Sequence, residues 1–325
     1  MPSLEFEQID YRSPAMRSLL SRYTRYTNGS KQCMISGVIH FAAYKSVSDS
    51  ISKPLQYYQN NVCGLVEFLS LLHEFGVKNF VFSSSATVYG SMANKGKPLT
   101  EEDCVHHPTV VKDESGSERK VEAGVFGLTS PYGRTKWFAE AILADLAESD
   151  PSWKITALRY FNPVGCHESG LLGEDPRQKP TNLIPVVANV LAGVQPKLQV
   201  FGSDWDTPDG TAVRDFIHVV DLARGHIAAL AAASKGHIQS PFRTYNLGTG
   251  RGHTVNEVLN SLEHASGQNV PVERVGRRAG DVGFCVADTQ RASRELGWRT
   301  EKSLAQCAAD VWNFTKQKVI SVVGQ

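Results

Sequence analysis

The chain has 325 residues, 41% hydrophobic and 21% charged, a globular balance that excludes a disordered polypeptide. Lys plus Arg number 34 against 33 Asp plus Glu, and a formal charge of +1 offers no electrostatic footprint for nucleic acid or an anionic membrane surface. The longest apolar stretch, 183–194, is broken by Pro185 and Asn189 and falls short of the ~20 residues that a spanning helix needs.

The N-terminal MPSLEFEQIDYRS has no basic cap before an apolar core, so no secretory signal is expected. GVIHF (37–41) is a short apolar run that predicts a buried strand. Val62, Leu65, Val66, Leu69 and Leu72 then fall on one helical face, and Gly76 stops that helix. KNFVFSSS (78–85) predicts a second strand. A helix follows over 131–149, with Phe138, Ile142 and Leu146 as its apolar face, and then the strand KITALRYF (154–161). Strand, helix, strand, helix, strand at this spacing predicts a parallel, doubly wound α/β sheet with helices on both faces. The charged, aperiodic stretch 112–124 reads as an exposed loop. Further on come a helix near 183–193, the strand LQVF, a helix over about 219–233 and the strand RTYNL. Thr254 and Glu257 make a capping box that opens a helix to about 265. A last helix over about 303–317 carries Leu304, Ala308, Val311 and Trp312.

At roughly 150 residues per domain the length suggests two units. The expected division is a Rossmann-like unit over 1–164, with 212–248 returning to it, and a smaller α/β unit over 165–325. The six cysteines form no C-x-x-C pair and match no zinc spacing, so no metal site is expected. Scattered among apolar neighbours, they suit a reducing, cytosolic compartment.

Ligands of a doubly wound sheet bind at the carboxyl ends of its strands, which directs attention to the residues after 41, 82 and 161. Tyr132 and Lys136 form Y-x-x-x-K, and on a helix these two share a face. An ammonium beside a phenol favours the phenolate, so Tyr132 is expected to have a lowered pKa and to act as a general base. The spacing alone also arises by chance. Its context strengthens it: SSSATVYG (83–90) follows a buried strand, and Ser85 can exchange a hydrogen bond with a substrate hydroxyl. In HFAAYKSV (40–47), Ala42 and Ala43 allow close approach of a ligand, and Lys45 follows them.

VIHFAAYKSV, YYQNNV, VKNFVFSSSATVYG, SPYGRTK, LRYFNPVG, TNLIPV, DGTAVRDFIHVVDLA and YNLGTG occur in this order from residue 38 to residue 250. Taken together, with LEFEQIDYR ahead of them, they closely resemble the UDP-glucose 4-epimerases, a family within the extended short-chain dehydrogenase/reductase superfamily. The resemblance runs over about residues 4–320. It implies NAD as cofactor and UDP-glucose and UDP-galactose as substrates, with Tyr132 as catalytic base, Lys136 on the nicotinamide ribose and Ser85 bridging to the sugar O4. It further implies that Asp10, Phe41, Ala42, Ala43, Lys45, Asn60, Ser83, Tyr160 and Phe161 lie along the cofactor. Lys45, Asn162, Asn182, Leu183, Phe201, Arg214, Arg278, Asp281 and Cys285 are expected to join Ser85 and Tyr132 against the UDP-sugar. Guanidinium groups such as those of Arg214 and Arg278 suit a diphosphate, and Asp281 suits a ribose diol. Cys285 stands where some bacterial relatives carry a bulky tyrosine, so UDP-N-acetylhexosamines are expected to be accepted as well. A homodimer through a helix pair is common in the family.

The family opens with a strand, a G-x-x-G-x-x-G turn and a helix that bind the cofactor pyrophosphate. The 325 residues contain no such segment; FEQID (6–10) matches the family's third strand. LGTGRG (247–252), between a predicted strand and helix, imitates a dinucleotide loop but lacks the third glycine spacing. These residues by themselves are therefore expected to bind NAD poorly and show little or no epimerase activity, with GVIHF left as an unpaired edge or paired with FEQID. A non-catalytic relative is the alternative reading. The related dehydratases are disfavoured, because Ser84-Ser85-Ala86 lacks the acid and base that their elimination needs.

Overall fold

A computed structural model describes residues 4–27, 30–112, 115–175, 180, 182–278 and 280–323. In chain order the elements are α1 (Pro14–Arg22), β1 (Thr24–Thr27), β2 (Ser30–Cys33), β3 (Val38–His40), α2 (Val47–Ser52), α3 (Pro54–Tyr58), α4 (Gly64–Glu74) and β4 (Asn79–Ser85). Next come β5 (Thr109–Lys112), β6 (Glu118–Val121), α5 (Pro131–Ser149), β7 (Lys154–Tyr160), β8 (Asn162–Val164), α6 (Leu183–Leu191), β9 (Leu198–Phe201), β10 (Val213–His218) and α7 (Val219–Ser234). The chain ends with β11 (Phe242–Leu247), β12 (Gly252–Thr254), α8 (Val255–Ser266), β13 (Val272–Val275), β14 (Phe284–Cys285), α9 (Gln290–Leu296) and α10 (Leu304–Val323).

The central sheet has the order β11-β7-β4-β3, all parallel. Its strands read as nearly unbroken apolar runs because both faces are covered. On one face Leu65, Leu69, Leu72, Leu143 and Ala147 of α4 and α5 meet Phe80, Phe82 and Ile155. On the other, Leu222, Ala229 and Ala233 of α7 join Ala292 and Trp298 against Val81, Leu158 and Tyr245. A second group, β12-β10-β14 with β8 beside β10, adjoins a core built from α6, α8 and α10 around Ile184, Val187, Val258, Leu262 and Val311.

Three expectations need correction. FEQID is not a strand: residues 4–10 are irregular and mostly exposed, and β3 hydrogen-bonds to β4 alone, so among the described residues it is the sheet edge. The stretch expected as a loop holds the second strand of a hairpin, β5 against β6, with Lys112 and Glu118 paired across it. The buried face of α5 is not that of Phe138, which is 42% exposed, but that of Lys136, Ala139, Glu140, Leu143 and Ala147. Small side chains at 139 and 147 let the helix approach the sheet closely, and apolar periodicity did not single out a face bearing Lys136 and Glu140.

Candidate active site

β4 delivers Ser83, Ser84 and Ser85 to the carboxyl end of the sheet. Ser85 is extended, and its hydroxyl accepts from the Thr87 N–H at 3.2 Å, which caps the turn that follows. α5 begins alongside: the Ser130 hydroxyl accepts from the Gly133 N–H at 3.1 Å, Pro131 occupies the first turn, and Tyr132 therefore faces Ser85 with Lys136 one turn later. A Cβ on Gly133 would sit 3.2 Å from the Thr87 carbonyl oxygen, so glycine eases the close approach of α5 to this turn. The fully sequestered Lys136 Nζ donates to the Ser83 carbonyl at 2.5 Å and lies 3.5 Å from the Ser83 hydroxyl.

These groups open on a cavity of about 1820 Å³, well beyond the roughly 300–1,000 Å³ that one small ligand fills. Its wall includes Phe41, Ala43, Lys45, Ser83, Ser85, Tyr132, Lys136, Tyr160, Phe161, Asn162, Asn182, Leu183, Phe201, Arg214, Arg278, Asp281 and Cys285. Asp10, Ala42 and Asn60 are not in that wall. Asp10 instead forms a bidentate pair with Arg12, Oδ2 to Nη2 at 2.7 Å, which holds its carboxyl down at about 2. Asn60 turns its amide onto the Asn61 side chain at 2.9 Å.

The electrostatics reverse one expectation. Tyr132 is not lowered by Lys136: burial pushes its phenol up to about 12, against a smaller opposing effect from the hydrogen bond with Ser85. Lys136 stands 5.9 Å from the centre of the Tyr132 ring, and its ammonium turns to the Ser83 carbonyl instead. Burial likewise pushes Lys136 down to about 7, opposed by the charge of Glu140. The Tyr160 hydroxyl donates to His226 Nε2, because His226 Nδ1 is committed to the Leu222 carbonyl at 2.8 Å.

Across the cavity the Arg214 guanidinium is braced by the carbonyls of Val213 at 2.9 Å and Val282 at 2.7 Å. Arg278 lies over the Phe201 ring at 4.5 Å and pairs with Asp281 at 3.1 Å. Two cations, an aromatic face and a carboxylate thus line the same cavity as Ser85, Tyr132 and Lys136. Cys285 sits beside Arg214 in register, its thiol pushed up to about 11 by burial, so it is a neutral wall rather than a nucleophile.

The loop LGTGRG does not open on this cavity. Its N–H groups wrap an internal anion: Asp215 accepts from Thr249 N at 2.7 Å, the Thr249 hydroxyl at 2.7 Å, Gly250 N at 2.9 Å and Ala287 N at 3.2 Å. A Cβ on Gly248 would meet Asp215 Oδ2 at 2.5 Å, so the glycine serves this close approach.

Sequence reasoning overlooked Asn61. Its side chain donates to the Thr135 hydroxyl at 3.1 Å and the Tyr44 carbonyl at 3.0 Å, and accepts from Tyr44 N at 2.9 Å, which ties the loop after β3 to α5. The available signal was an Asn four residues before Leu65, on the buried face of the helix. Also overlooked were Glu140 and Arg159, charges placed inside apolar runs.

Comparison with known proteins supplies the frame for this arrangement. A family model described as "NAD dependent epimerase/dehydratase family" matches residues 21–248. Human UDP-glucose 4-epimerase is 43% identical over 316 residues, which is 97% of this chain and 81% of that protein. Among solved structures, UDP-glucose 4-epimerase from Bifidobacterium longum in complex with NAD+ and UDP superposes with a TM-score of 0.80 at 43% identity, covering 96% of this chain and 82% of that one. The UDP-glucose-4-epimerase from Stenotrophomonas maltophila, with bound NAD and formylated UDP-arabinopyranose, gives a TM-score of 0.82 at 39% identity over 97% of this chain and 84% of that one.

Proposed function

The chain belongs to the NAD dependent epimerase/dehydratase family, and from that premise we propose that it is a UDP-glucose 4-epimerase, interconverting UDP-galactose and UDP-glucose in galactose metabolism. The observation that carries this reading is one cavity lined by Ser85, Tyr132 and Lys136 and also by Arg214, Arg278 and Phe201. The described residues fit the nicotinamide half of a dinucleotide site, where Ala43 leaves room and Ser83, Tyr160 and Lys136 offer polar atoms. The glycine-rich turn for the pyrophosphate is not among them, since LGTGRG is committed to Asp215.

NAD bound in this cavity supplies the two-electron acceptor that oxidises the sugar at C4 and gives the hydrogen back to the opposite face. Tyr132 takes the O4 proton in the oxidation and returns it in the reduction. To act as the base Tyr132 must first lose its own proton, which is uphill at neutral pH for a phenol near 12, and positive charge brought alongside eases that ionisation. Ser85 steadies the same oxygen. Lys136 holds the cofactor ribose. Arg214 and Arg278 hold the diphosphate, Phe201 stacks on the base, and Asp281 leaves its pairing with Arg278 to take the ribose diol. Asn162, Asn182 and Leu183 line the same cavity. Cys285 leaves space for an acetamido group, so UDP-N-acetylhexosamines belong to the substrate range. We assign 1–164 with 212–248 to the cofactor half, supported by β11 lying beside β7, and the remainder of 165–325 to the UDP-sugar half.

No helix among the described residues is long and apolar enough to cross a membrane. All six cysteines are free, which supports a reducing, cytosolic compartment. Proton NMR of UDP-galactose incubated in D2O with the protein and added NAD tests the reading. Interconversion with the C4 hydrogen retained is expected. Failure to interconvert the two sugars, or solvent deuterium at C4, contradicts it.

A further inference from the structure

Behind the row that faces the cavity lies a second row of buried charge. Glu140 follows Lys136 by one turn on the same face of α5, and both side chains are sequestered. The two serines that engage them are consecutive on β4: Lys136 Nζ binds the Ser83 carbonyl, and the Ser84 hydroxyl donates to Glu140 Oε1. Arg159, opposite Ser84 in the sheet register, donates through Nε to Oε1 at 3.1 Å and through Nη2 to Oε2 at 2.7 Å. His106 Nε2 lies 2.8 Å from the same Oε2. Four contacts fix a carboxylate that has no path to the cavity, so it cannot itself meet substrate.

Its effect has to reach the site through Lys136. We propose that Glu140 is a positioning residue for the reaction: its buried carboxylate, one helical turn from Lys136, holds that lysine's ammonium charged at the cavity wall, and Arg159 sets how strong this hold is. The inference rests on reading Ser85, Tyr132 and Lys136 as the reacting row.

Burial drives Lys136 toward its neutral form, and a neutral amine cannot support the charge on a neighbouring phenolate. From its own helix Lys136 faces Tyr132 and Glu140. From β3 it faces His40, pushed down to about 4 by burial and by the lysine's own charge. From β7 come Tyr160, hydrogen-bonded away to His226, and Arg159. His106 reaches only Glu140. Among these groups Glu140 is the carboxylate that favours the ammonium. Arg159 carries the countercharge and extends away from Lys136, toward the Tyr89 hydroxyl and the carbonyls of Glu101 and Cys104.

The two charges therefore act on Lys136 in opposite directions, and that sets the test. Competitive labelling with trace acetic anhydride across neutral pH, read by mass spectrometry on the Lys136 peptide, gives the lysine's ionisation midpoint without needing cofactor or turnover. Failure of this inference is thus separate from failure of the proposed activity. In Glu140→Gln the midpoint is expected to fall by about one pH unit, and in Arg159→Gln to rise. A purely structural role would not move one residue's midpoint in opposite directions. Unmoved midpoints in folded variants, or movement in the same direction, overturn the proposal. Each single change strands a buried charge, so either variant can fail to fold. In that case the double variant Glu140→Gln/Arg159→Gln, which removes both charges and keeps amide hydrogen bonding, must still show a lowered midpoint. An unchanged midpoint there overturns the proposal equally.

Discussion

Asp215→Asn is the perturbation that separates a structural glycine loop from a ligand-binding one. The Asp215 carboxylate accepts from four donors, two on each oxygen. An amide keeps one oxygen and turns an NH2 toward the other two donors, the N–H groups of Gly250 and Ala287 in one orientation. Each donor left unsatisfied in this buried setting costs about 1–3 kcal/mol, so the variant loses about 2–6 kcal/mol. That is a large share of a net stability of about 5–15 kcal/mol. At about 2–4 °C per kcal/mol for a chain of 150 to 250 residues, and somewhat less for a longer one, the melting temperature should fall by roughly 5–15 °C. Thermal unfolding followed by circular dichroism, with a urea titration beside it, reads the loss. Nucleotide binding to the surviving folded fraction should be unaffected, because the loop faces away from the large cavity. A variant within 2 °C of the parent (about 1 kcal/mol), or one of unchanged stability with altered NAD affinity, refutes the reasoning.

Two other outcomes follow from the site. Lys136→Met should stabilise the protein below neutral pH, where the folded chain must bury an ammonium whose pKa burial has brought to about 7. The folded pKa lies below the unfolded one, so the penalty is full below the folded value and fades as pH rises toward about 10.4; at about 1.4 kcal/mol per unit the gain approaches 5 kcal/mol in acid. Melting temperatures at pH 6 and pH 9 check this, and a difference between variant and parent that does not shrink with pH contradicts it. Cys285→Tyr should fill the cavity wall beside Arg214, spare UDP-glucose turnover and abolish that of UDP-N-acetylglucosamine; an unchanged ratio of the two rates in a substrate comparison would count against a sugar-facing role.

Much of the candidate site around Tyr132 was legible because it is built from local chemistry. Ser130 and Pro131 start α5 with Tyr132 and Lys136 on one face, and the apolar run before Ser85 marks a strand that ends at the site. The Thr254–Glu257 capping box is equally local and is present. What was not legible depends on partners distant in sequence. Whether FEQID is a strand turns on what lies beside it rather than on its match to the family's third strand, and it pairs with nothing among the described residues. The face of α5 is decided by Arg159, 19 residues further on, which makes burial of Glu140 tolerable. The sign of the Tyr132 shift was missed because motif spacing gives the nearness of Lys136 but not the depth of the cavity or the Ser83 carbonyl that draws the ammonium away. The likeness of LGTGRG to a dinucleotide loop did not reveal that its N–H groups hold Asp215, 34 residues away in sequence.

The central claim is that Tyr132 moves the sugar proton in this cavity. Conversion of UDP-galactose to UDP-glucose, measured with added NAD for the parent protein and for Tyr132→Phe, tests it most directly. The account predicts turnover by the parent and a loss of about 10²–10⁴-fold in the variant, with UDP affinity unchanged, since the side chains assigned to UDP, Arg214 and Phe201, are left intact. A variant that turns over at close to the parent rate contradicts it.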